Sequence, residues 1–505
     1  MPAESLTWGN IQVVVVHAML TPLSGFEYLR LMRRPLTGLL IASMLSIPAP
    51  SRADLPTLGD QTAAVSTSDE YAAGRAYEKE FRAAVPTLLD PLIQDYVEHL
   101  IYRLAFATPL SDLHLSVLII DSTEINAFAV PGGVVGVNAG IFLSAHNEAE
   151  MASVLAHELG HLRQRHYARM MMDSSHDMLW FLASVLAAVA LSARGQGDAG
   201  AAAVDSAQAA LAQHQLHYSR ENEQEADRIG LQTLVTAGYD PEAMPRFFAR
   251  LYKTISGSGD IPEYLQDHPL TPSRVADTAA RAAQFHVHGI EDTLAFELMR
   301  ARVKAHYAAD PETSLNSLRE IIAHGGHSDE AMLARFMACN LLLRLDRGEE
   351  GLAYAQDLLQ QSPHRIAYVD IMADLLLHAG RHAQALALLQ SESHISPTSL
   401  PLRLLLVRAL SASGQGRQAE SLAEELVSQR ADDPNAWTAM IVASRAAADR
   451  LALYRARAEL DDLYGHSKEA LQQLRLGLQA AGSNYPEHAR FESLIERVSH
   501  EQAGQ

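Results

Sequence analysis

Apolar and polar positions change their period along this chain, and the changes mark its elements. Residues 54 to about 110 have the periodicity of polar-faced helices. Two β-rich stretches follow, the alternating LHLSVLIID (113–121) and, after a Pro-Gly-Gly turn signal, GGVVGVNAGIF (132–142). A long helix is predicted next, with Asn147 as its N-cap and Glu150 at the third helical position, as in a capping box. The pattern predicts a mainly α domain with a small β-sheet.

The C-terminal part of the chain is repetitive. A glycine followed by four residues and then an alanine recurs at Gly348/Ala353, Gly380/Ala385, Gly414/Ala419 and Gly465/Ala470. The intervals between the glycines are 32, 34 and 51 residues, and a period near 34 in a helix–turn–helix setting is typical of tetratricopeptide repeats. In this interpretation the glycine relieves a close helix crossing and the alanine lets paired helices approach. The alternative is an ordinary helical bundle, and in both cases we expect an α-solenoid-like region with a concave interaction surface.

Composition and charge narrow the functional classes. The chain has 505 residues, of which 48 % are apolar and 20 % charged, as in a folded protein of two or three domains. A formal net charge of −20 argues against a nucleic-acid partner, because binding a phosphate backbone needs an excess of Lys and Arg on one surface. The single cysteine, Cys339, excludes an internal disulfide and a cysteine-based zinc site. We expect Cys339 to be a small buried helix residue.

The N-terminal region predicts an export signal. From Met32 the chain reads MRRPLTGLLIASMLSIPAPSRADLP, with two arginines, an apolar stretch, and small residues around Ala53. The apolar stretch is too short to span a membrane. We expect translation to start at Met32 and cleavage after Ala53, which leaves a soluble periplasmic or secreted protein that begins near Asp54. A twin-arginine signal is the alternative, although the residues after the arginine pair do not complete that motif.

The most apolar run of the mature chain is MLWFLASVLAAVAL (178–191). Its 14 residues cannot span a bilayer. A buried helix is the favoured interpretation, and a helix that touches a membrane surface is the alternative.

The stretch SVLAHELGHLRQRH (153–166) contains the pattern H-E-x-x-H. His157 and His161 are four residues apart, so on a helix they lie on one face and can share a metal ion. Glu158 lies beside the first histidine, where its carboxylate can act on a water at the metal. A chance match is the alternative in a chain with 23 histidines. The predicted helix, the aliphatic residues before the motif and Gly160, which allows close packing, favour a zinc hydrolase.

A third ligand must come from another segment. His166 is nine residues from His157, which at about 100° per residue places it on the opposite face of the helix, so we expect a surface histidine. The metzincin extension is excluded, because it would need Gly at 164 and His at 167 where the chain has Gln164 and Tyr167.

The stretch HYSRENEQEADRIGL (217–231) offers carboxylates on a second predicted helix. Glu223 and Asp227 are four residues apart and share a face, whereas Glu225 points away. A zinc-binding Glu with an Asp one turn later that hydrogen-bonds a ligand histidine is a common arrangement. Two histidines, one Glu and a water form a catalytic zinc shell with one open position. A charged, solvated helix face is the alternative.

Together, EINAFAVPGG, HELGH, NEQEADRIG, HPLTPSR and the C-terminal repeats resemble the M48 family of zinc metallopeptidases. The resemblance runs from about Leu55 to the end of the chain and is most specific between residues 124 and 275. It implies a zincin-like (gluzincin) metallopeptidase domain over residues 54–290, followed by an α-solenoid of tetratricopeptide repeats over 291–500.

The resemblance also assigns roles, position by position. It implies that His157, His161 and Glu223 hold one Zn²⁺ and that Glu158 is the catalytic acid/base. It implies that Asp227 does not bind the ion itself but supports the residues that do. His268 of HPLTPSR matches a histidine that can approach the metal in such proteins and close the site. The alternative is that His268 caps the following helix or packs against its own loop.

The implied function is that of a periplasmic endopeptidase. Its substrates would be misfolded or misassembled outer-membrane proteins, delivered by the repeats. It would also assist their assembly and engage the outer-membrane barrel-assembly machinery through the repeats. The alternative is an assembly chaperone or scaffold whose zinc site is structural or shut, but Glu158 favours the peptidase, since a structural site has no use for a base. The stretch 132–142 could align an extended substrate by edge pairing, or it could be core.

Overall fold

The computed structural model describes residues 67–108, 110, 112–164, 220–258 and 262–504. These residues belong to the unit Val65–Gln505. Three features predicted from the sequence lie outside the described residues: the signal peptide (32–53), the apolar run (178–191) and His166. The domain boundary near residue 290 also stays a prediction.

The described residues begin with two helices, α1 (Thr67–Ala84) and α2 (Pro91–Ala107). Helix α2 starts where the sequence provides a cap: the Asp90 carboxylate accepts hydrogen bonds from two backbone amides of the first turn, and Pro91 needs no such partner. Its apolar residues recur at helical spacing and pack into the core.

A three-stranded sheet follows, formed by β1 (Ser116–Ile120), β2 (Ala127–Val130) and β3 (Val134–Asn138). The strand order is β1-β3-β2, with β1 parallel and β2 antiparallel to β3. In register, Ser116 lies opposite Val134 and Ala127 lies opposite Val137. The predicted mainly α fold with a small sheet is confirmed, although the sequence pattern does not predict β2, whose four residues are all buried and do not alternate.

Strand β3 lies in the centre of the sheet and is paired on both sides. The prediction that the stretch 132–142 pairs with a substrate at a sheet edge is therefore wrong. The alternative, that the stretch belongs to the core, is confirmed. Every residue of β3 is buried, and Gly136 lies against the Phe128 ring so closely that a Cβ atom would come within 2.3 Å of it. The strand also ends earlier than predicted, because α3 (Gly140–Ser144) follows at once.

Helix α4 (Glu148–Arg163) carries the H-E-x-x-H pattern. Its predicted cap is confirmed: Asn147 accepts a hydrogen bond from the Glu150 amide at 3.1 Å. The prediction of a full capping box is wrong, because the Glu150 carboxylate accepts a hydrogen bond from the His146 amide at 2.6 Å and not from the Asn147 amide. The same carboxylate pairs with Arg250 at 2.6 Å.

Helix α5 (Arg220–Ala237) packs closely against α4. A Cβ on Gly160 would lie 3.0 Å from the Ala226 carbonyl oxygen, and one on Gly230 would lie 3.2 Å from the His157 nitrogen. Glycines on both helices therefore allow the approach, as predicted for Gly160. The described helices that follow are α6 (Ala243–Ser258), α7 (Glu263–Asp267), α8 (Pro272–Ala282) and α9 (Leu294–His306).

The rest of the chain is a series of helices that pack on their neighbours in sequence. They are α10 (Pro311–Gly325), α11 (Asp329–Arg344), α12 (Gly348–Gln361), α13 (Ile366–His378), α14 (His382–Ser393), α15 (Leu400–Ala412), α16 (Gly416–Gln429), α17 (Pro434–Ala447), α18 (Arg450–Leu463), α19 (Ser467–Ala481) and α20 (Tyr485–Gly504).

The helical repeat is confirmed, and Gly348 relieves a close helix approach as predicted, since a Cβ there would lie 2.7 Å from Nδ1 of His378. Two of the other glycines have a different role. Gly380 and Gly414 do not relieve a helix crossing; they take left-handed φ values of 70° and 76° in the turn between paired helices. Asp346 and Ala448 take the same conformation. The four turns are thus spaced by 34 residues each, and Gly348 is displaced from this series because it lies two residues after the turn.

The alanines follow the same register. Ala385, Ala419 and Ala470 are fully buried, as expected for residues that let paired helices approach. Ala353 is exposed, because Gly351 takes the buried position five residues after the turn in that repeat.

Cys339 is a buried residue of α11, as predicted, with its sulfur 3.5 Å from the Gly351 carbonyl oxygen. In the part of the chain that the structure describes, no helix has both the length and the apolar character needed to cross a membrane.

Candidate metal centre

Four buried side chains converge between helices α4, α5 and the end of α7. His157 and His161 project from one face of α4, Glu223 from α5, and His268 follows α7. One donor atom of each lies within 4.8 Å of the others. The fold thus brings the three predicted ligands together with His268.

The distances between these donor atoms match a tetrahedral metal site. The Nε2 atoms of His157 and His161 are 3.0 Å apart, and the Glu223 carboxylate lies 3.5 Å from the first and 3.4 Å from the second. Ligands bound to zinc at about 2.0–2.1 Å in a tetrahedron are separated by about 3.3–3.4 Å. The donor set of imidazoles and a carboxylate is also one that zinc prefers.

His268 supplies the fourth donor of the cluster, in the place where the resemblance implied that it could approach a metal. Its Nδ1 lies 3.4 Å from Nε2 of His157 and 3.2 Å from Oε1 of Glu223. Its other nitrogen, Nε2, lies 3.5 Å from Oε1 of Glu158. His268 does not cap the following helix, because Thr271 accepts the hydrogen bond from the Arg274 amide there.

Glu158 is fully buried beside the cluster. Among the residues that the structure describes, neither of its carboxylate oxygens has a hydrogen-bond partner. An unpartnered buried carboxylate is costly, and burial accordingly raises the pKa of Glu158. A water held between a metal and this carboxylate would satisfy it, so the surroundings of Glu158 fit a catalytic metal.

Asp227 lies one turn after Glu223 on α5, with Oδ1 3.0 Å from Nδ1 of His157. This contact orients the His157 ring so that its Nε2 faces the cluster. Burial alone would raise the pKa of Asp227, but hydrogen bonds from Arg274 and His157 outweigh it and lower the pKa.

The two histidines of α4 differ in their electrostatic surroundings. Burial alone would lower the pKa of His157, but its contacts with Asp227 and Glu223 raise it to about 10. Burial lowers the pKa of His161 to about 3. Desolvation opposes ionisation of Glu223 too, yet the neighbouring histidines hold its pKa well below the usual value.

Arg274 is a residue of the site that the sequence analysis does not single out, although it belongs to the quoted HPLTPSR. Its Nε and Nη2 donate to the two oxygens of Asp227 at 2.8 and 2.7 Å. Its Nη1 lies 2.8 Å from the Glu223 carboxylate and donates to the Pro269 carbonyl at 3.0 Å. Arg274 therefore ties the carboxylates of α5 to the segment that carries His268.

The comparisons with known proteins agree with this site and fold. The model of peptidase family M48 matches residues 90–282, and a tetratricopeptide-repeat model matches residues 376–441. The chain belongs to peptidase family M48. It is similar to the beta-barrel assembly-enhancing protease of Escherichia coli (strain K12), with 30 % identity over 479 residues that cover 93 % of this chain and 97 % of the relative.

Two further relatives extend the comparison. A putative beta-barrel assembly-enhancing protease of Vibrio cholerae is 33 % identical over 327 residues, or 64 % of this chain and 66 % of the relative. A mitochondrial metalloendopeptidase OMA1 of Arabidopsis thaliana is 32 % identical over 165 residues, or 33 % of this chain and 31 % of the relative. The chain is therefore a metalloendopeptidase with tetratricopeptide repeats, as the sequence motifs predict.

Proposed function

We propose that the protein is a zinc-dependent endopeptidase of the periplasm that hydrolyses misfolded or misassembled outer-membrane proteins and assists their assembly. The main support is the buried cluster of His157, His161, Glu223 and His268 beside the unpartnered carboxylate of Glu158. A purely structural metal site would have no use for a base at this position.

In this proposal His157, His161 and Glu223 hold one zinc ion. When bound, the ion would supply Lewis acidity, the property that makes a water acidic enough to lose a proton near neutral pH and that polarises a carbonyl. Glu158 accepts the proton from the attacking water and returns it to the nitrogen of the leaving amine. Asp227 acts behind the ligands by orienting His157.

His268 regulates access to this chemistry. Its Nδ1 stands where the fourth donor of the cluster belongs, and its Nε2 faces Glu158. As long as it stays there, it excludes the attacking water from the position next to the base. The enzyme is then idle until a client or partner moves the segment around His268, which suits a peptidase that works among unfolded but still useful proteins.

The substrates and location follow from separate lines of support. The relatives that this chain matches over almost its whole length are named for enhancing beta-barrel assembly. The export pattern before Asp54 supports a periplasmic protein. The repeats supply an extended surface for unfolded outer-membrane polypeptides and for the outer-membrane barrel-assembly machinery.

A second candidate, an assembly chaperone with a shut zinc site, is favoured by the closed four-donor arrangement around His268. Zinc content and cleavage of an unfolded outer-membrane protein separate the two candidates. The peptidase proposal predicts one zinc per chain and cleavage by the unmodified protein but not by Glu158→Gln, which keeps its zinc. Equal cleavage by both proteins would overturn the role of Glu158, and no cleavage by either, nor by His268→Ala, would favour the chaperone.

A further inference from the structure

Tyr264 is a buried residue of the site that the mechanism above does not use. It belongs to the short helix α7, only 1 % of its surface is exposed, and its hydroxyl has no hydrogen-bond partner among the described residues. An unpaired buried hydroxyl costs about 1–3 kcal/mol. Like the unpartnered Glu158 carboxylate, such a group suggests a partner that binds only during the reaction.

The Tyr264 ring lies against the metal cluster. Its centroid is 4.9 Å from that of His268, with the two planes inclined by 31°, and 6.5 Å from that of His157. Its backbone is held in place at both ends: the Tyr264 amide donates to the Ile125 carbonyl at 3.2 Å, and the Tyr264 carbonyl accepts from the His268 amide at 2.9 Å. The ring is therefore fixed next to the position that His268 must leave.

Two of the unpartnered buried groups of the site are complementary. Glu158 offers a carboxylate, which accepts hydrogen bonds, and Tyr264 offers a phenol, which donates one. Attack of water on a peptide bond needs a base for the water proton, and it is accelerated by a hydrogen-bond donor to the carbonyl oxygen, which becomes negatively charged. His268 lies against both groups, with Nε2 3.5 Å from Glu158 and its ring on Tyr264.

We infer that Tyr264 is a further catalytic residue, whose hydroxyl donates a hydrogen bond to the oxygen of the scissile carbonyl once His268 has left the site. The inference rests on the proposed roles of Glu158 and His268. It also gives the closed state a second effect, because His268 then covers the donor as well as the base.

Tyr264→Phe tests this role, because it removes only the hydroxyl. Tyr77→Phe is the matched control: Tyr77 is 2 % exposed, its hydroxyl is likewise unpartnered among the described residues, and its ring packs on Phe81 and Phe128 instead of the histidines. Both substitutions are made in the full chain and in a His268→Ala background, in which the site is open.

Loss of one such donor lowers kcat by about 100- to 1000-fold in other enzymes. We expect a loss of this order for Tyr264→Phe, with KM and zinc content unchanged. The melting temperature should be unchanged or higher, since no native hydrogen bond is lost and an unpaired buried hydroxyl is removed. Tyr77→Phe should cleave at the parent rate. A rate within twofold of the parent for Tyr264→Phe, or a loss of activity that follows a loss of zinc or of stability, would overturn the inference.

Binding of a phosphinic peptide provides a readout that does not depend on turnover. Its tetrahedral, negatively charged group resembles the reacting carbonyl, so Tyr264→Phe should weaken binding at least tenfold relative to Tyr77→Phe. Equal affinities would overturn the role of Tyr264. Absence of cleavage by every variant, together with weaker phosphinic-peptide binding by Tyr264→Phe alone, would count against the proposed function and not against Tyr264.

Discussion

Arg274→Met is the substitution whose consequences the structure defines most closely. The Arg274 side chain is 4 % exposed and is the cation that both Asp227 and Glu223 contact, each of them 3 % exposed or less. Methionine fills a similar volume but makes none of these bonds. Both carboxylates then remain buried next to each other without the arginine.

Removing one partner of a buried ion pair costs about 3–5 kcal/mol. We expect a decrease of this size in the free energy of unfolding of the metal-free protein. The decrease should be smaller with zinc bound, because the ion then neutralises Glu223. Zinc affinity should fall by about 10- to 100-fold, since residues that orient metal ligands have effects of this order.

Urea unfolding followed by circular dichroism, with and without zinc, measures the first effect, and competition with a chelator measures the second. Arg281→Met is the matched control, because Arg281 lies on the same helix and pairs with Asp277 at 2.8 Å at the surface, where such a pair contributes about 0.5 kcal/mol. Arg274→Lys keeps the charge, so its free energy of unfolding and its zinc affinity should lie between those of Arg274→Met and Arg281→Met. If Arg274→Met unfolds like Arg281→Met and binds zinc like the unmodified protein, Arg274 does not support the site.

Three further outcomes are expected. His268→Ala should cleave unfolded protein faster than the unmodified chain while keeping its zinc, and a rate at or below the parent rate would contradict the gating role. Gly230→Val should lower the free energy of unfolding by about 1–3 kcal/mol in thermal denaturation, because its side chain would collide with the His157 backbone; an unchanged melting temperature would contradict the close helix crossing. Burial, together with the charge of Asp267, raises the pKa of Glu263 from 4.5 to about 7. The folded state then holds a proton that the unfolded state releases, so stability should fall as pH rises from 4.5 through 7; Glu263→Gln should flatten this dependence, and an unchanged slope in pH-dependent melting would contradict the shift.

The part of the site that could be predicted from the sequence depends on helical spacing. His157 and His161 share a face of α4, and Glu223 and Asp227 share a face of α5, because residues four apart lie one turn apart. The close approach of the two helices could also be anticipated from Gly160. The spacing rule is local and holds before any tertiary contact forms, and Gly160 indicates only that some helix can pack closely there.

The rest of the site depends on contacts between distant segments. Arg274 and Tyr264 have no distinctive spacing to the ligands, and only the path of α7 and α8 brings them to the cluster. The place of His268 beside the other three donors likewise follows from how its segment packs on α4 and α5. Resemblance to M48 peptidases could suggest that His268 approaches the metal, but residue spacing could not.

The repeats illustrate a limit of glycine patterns. Asp346 and Ala448 adopt the left-handed turn conformation that glycine adopts at positions 380 and 414. The cost of this conformation for Asp and Ala is outweighed by the packing of the paired helices. A search for glycines therefore finds the period near 34 but places one repeat in the wrong register.

X-ray absorption at the zinc edge, on the full chain loaded with one zinc, tests the four-residue zinc site most directly. Three imidazole nitrogens and one carboxylate oxygen at about 2.0–2.2 Å are predicted. In the His268→Ala protein, an oxygen ligand such as water should replace one imidazole on the zinc, and the other three ligands should be unchanged. A spectrum of the unmodified chain with two imidazoles would contradict His268 as the fourth ligand. One with fewer than two imidazoles, or one that Glu223→Ala does not change, would contradict the assignment of His157, His161 and Glu223 as the residues that hold the metal.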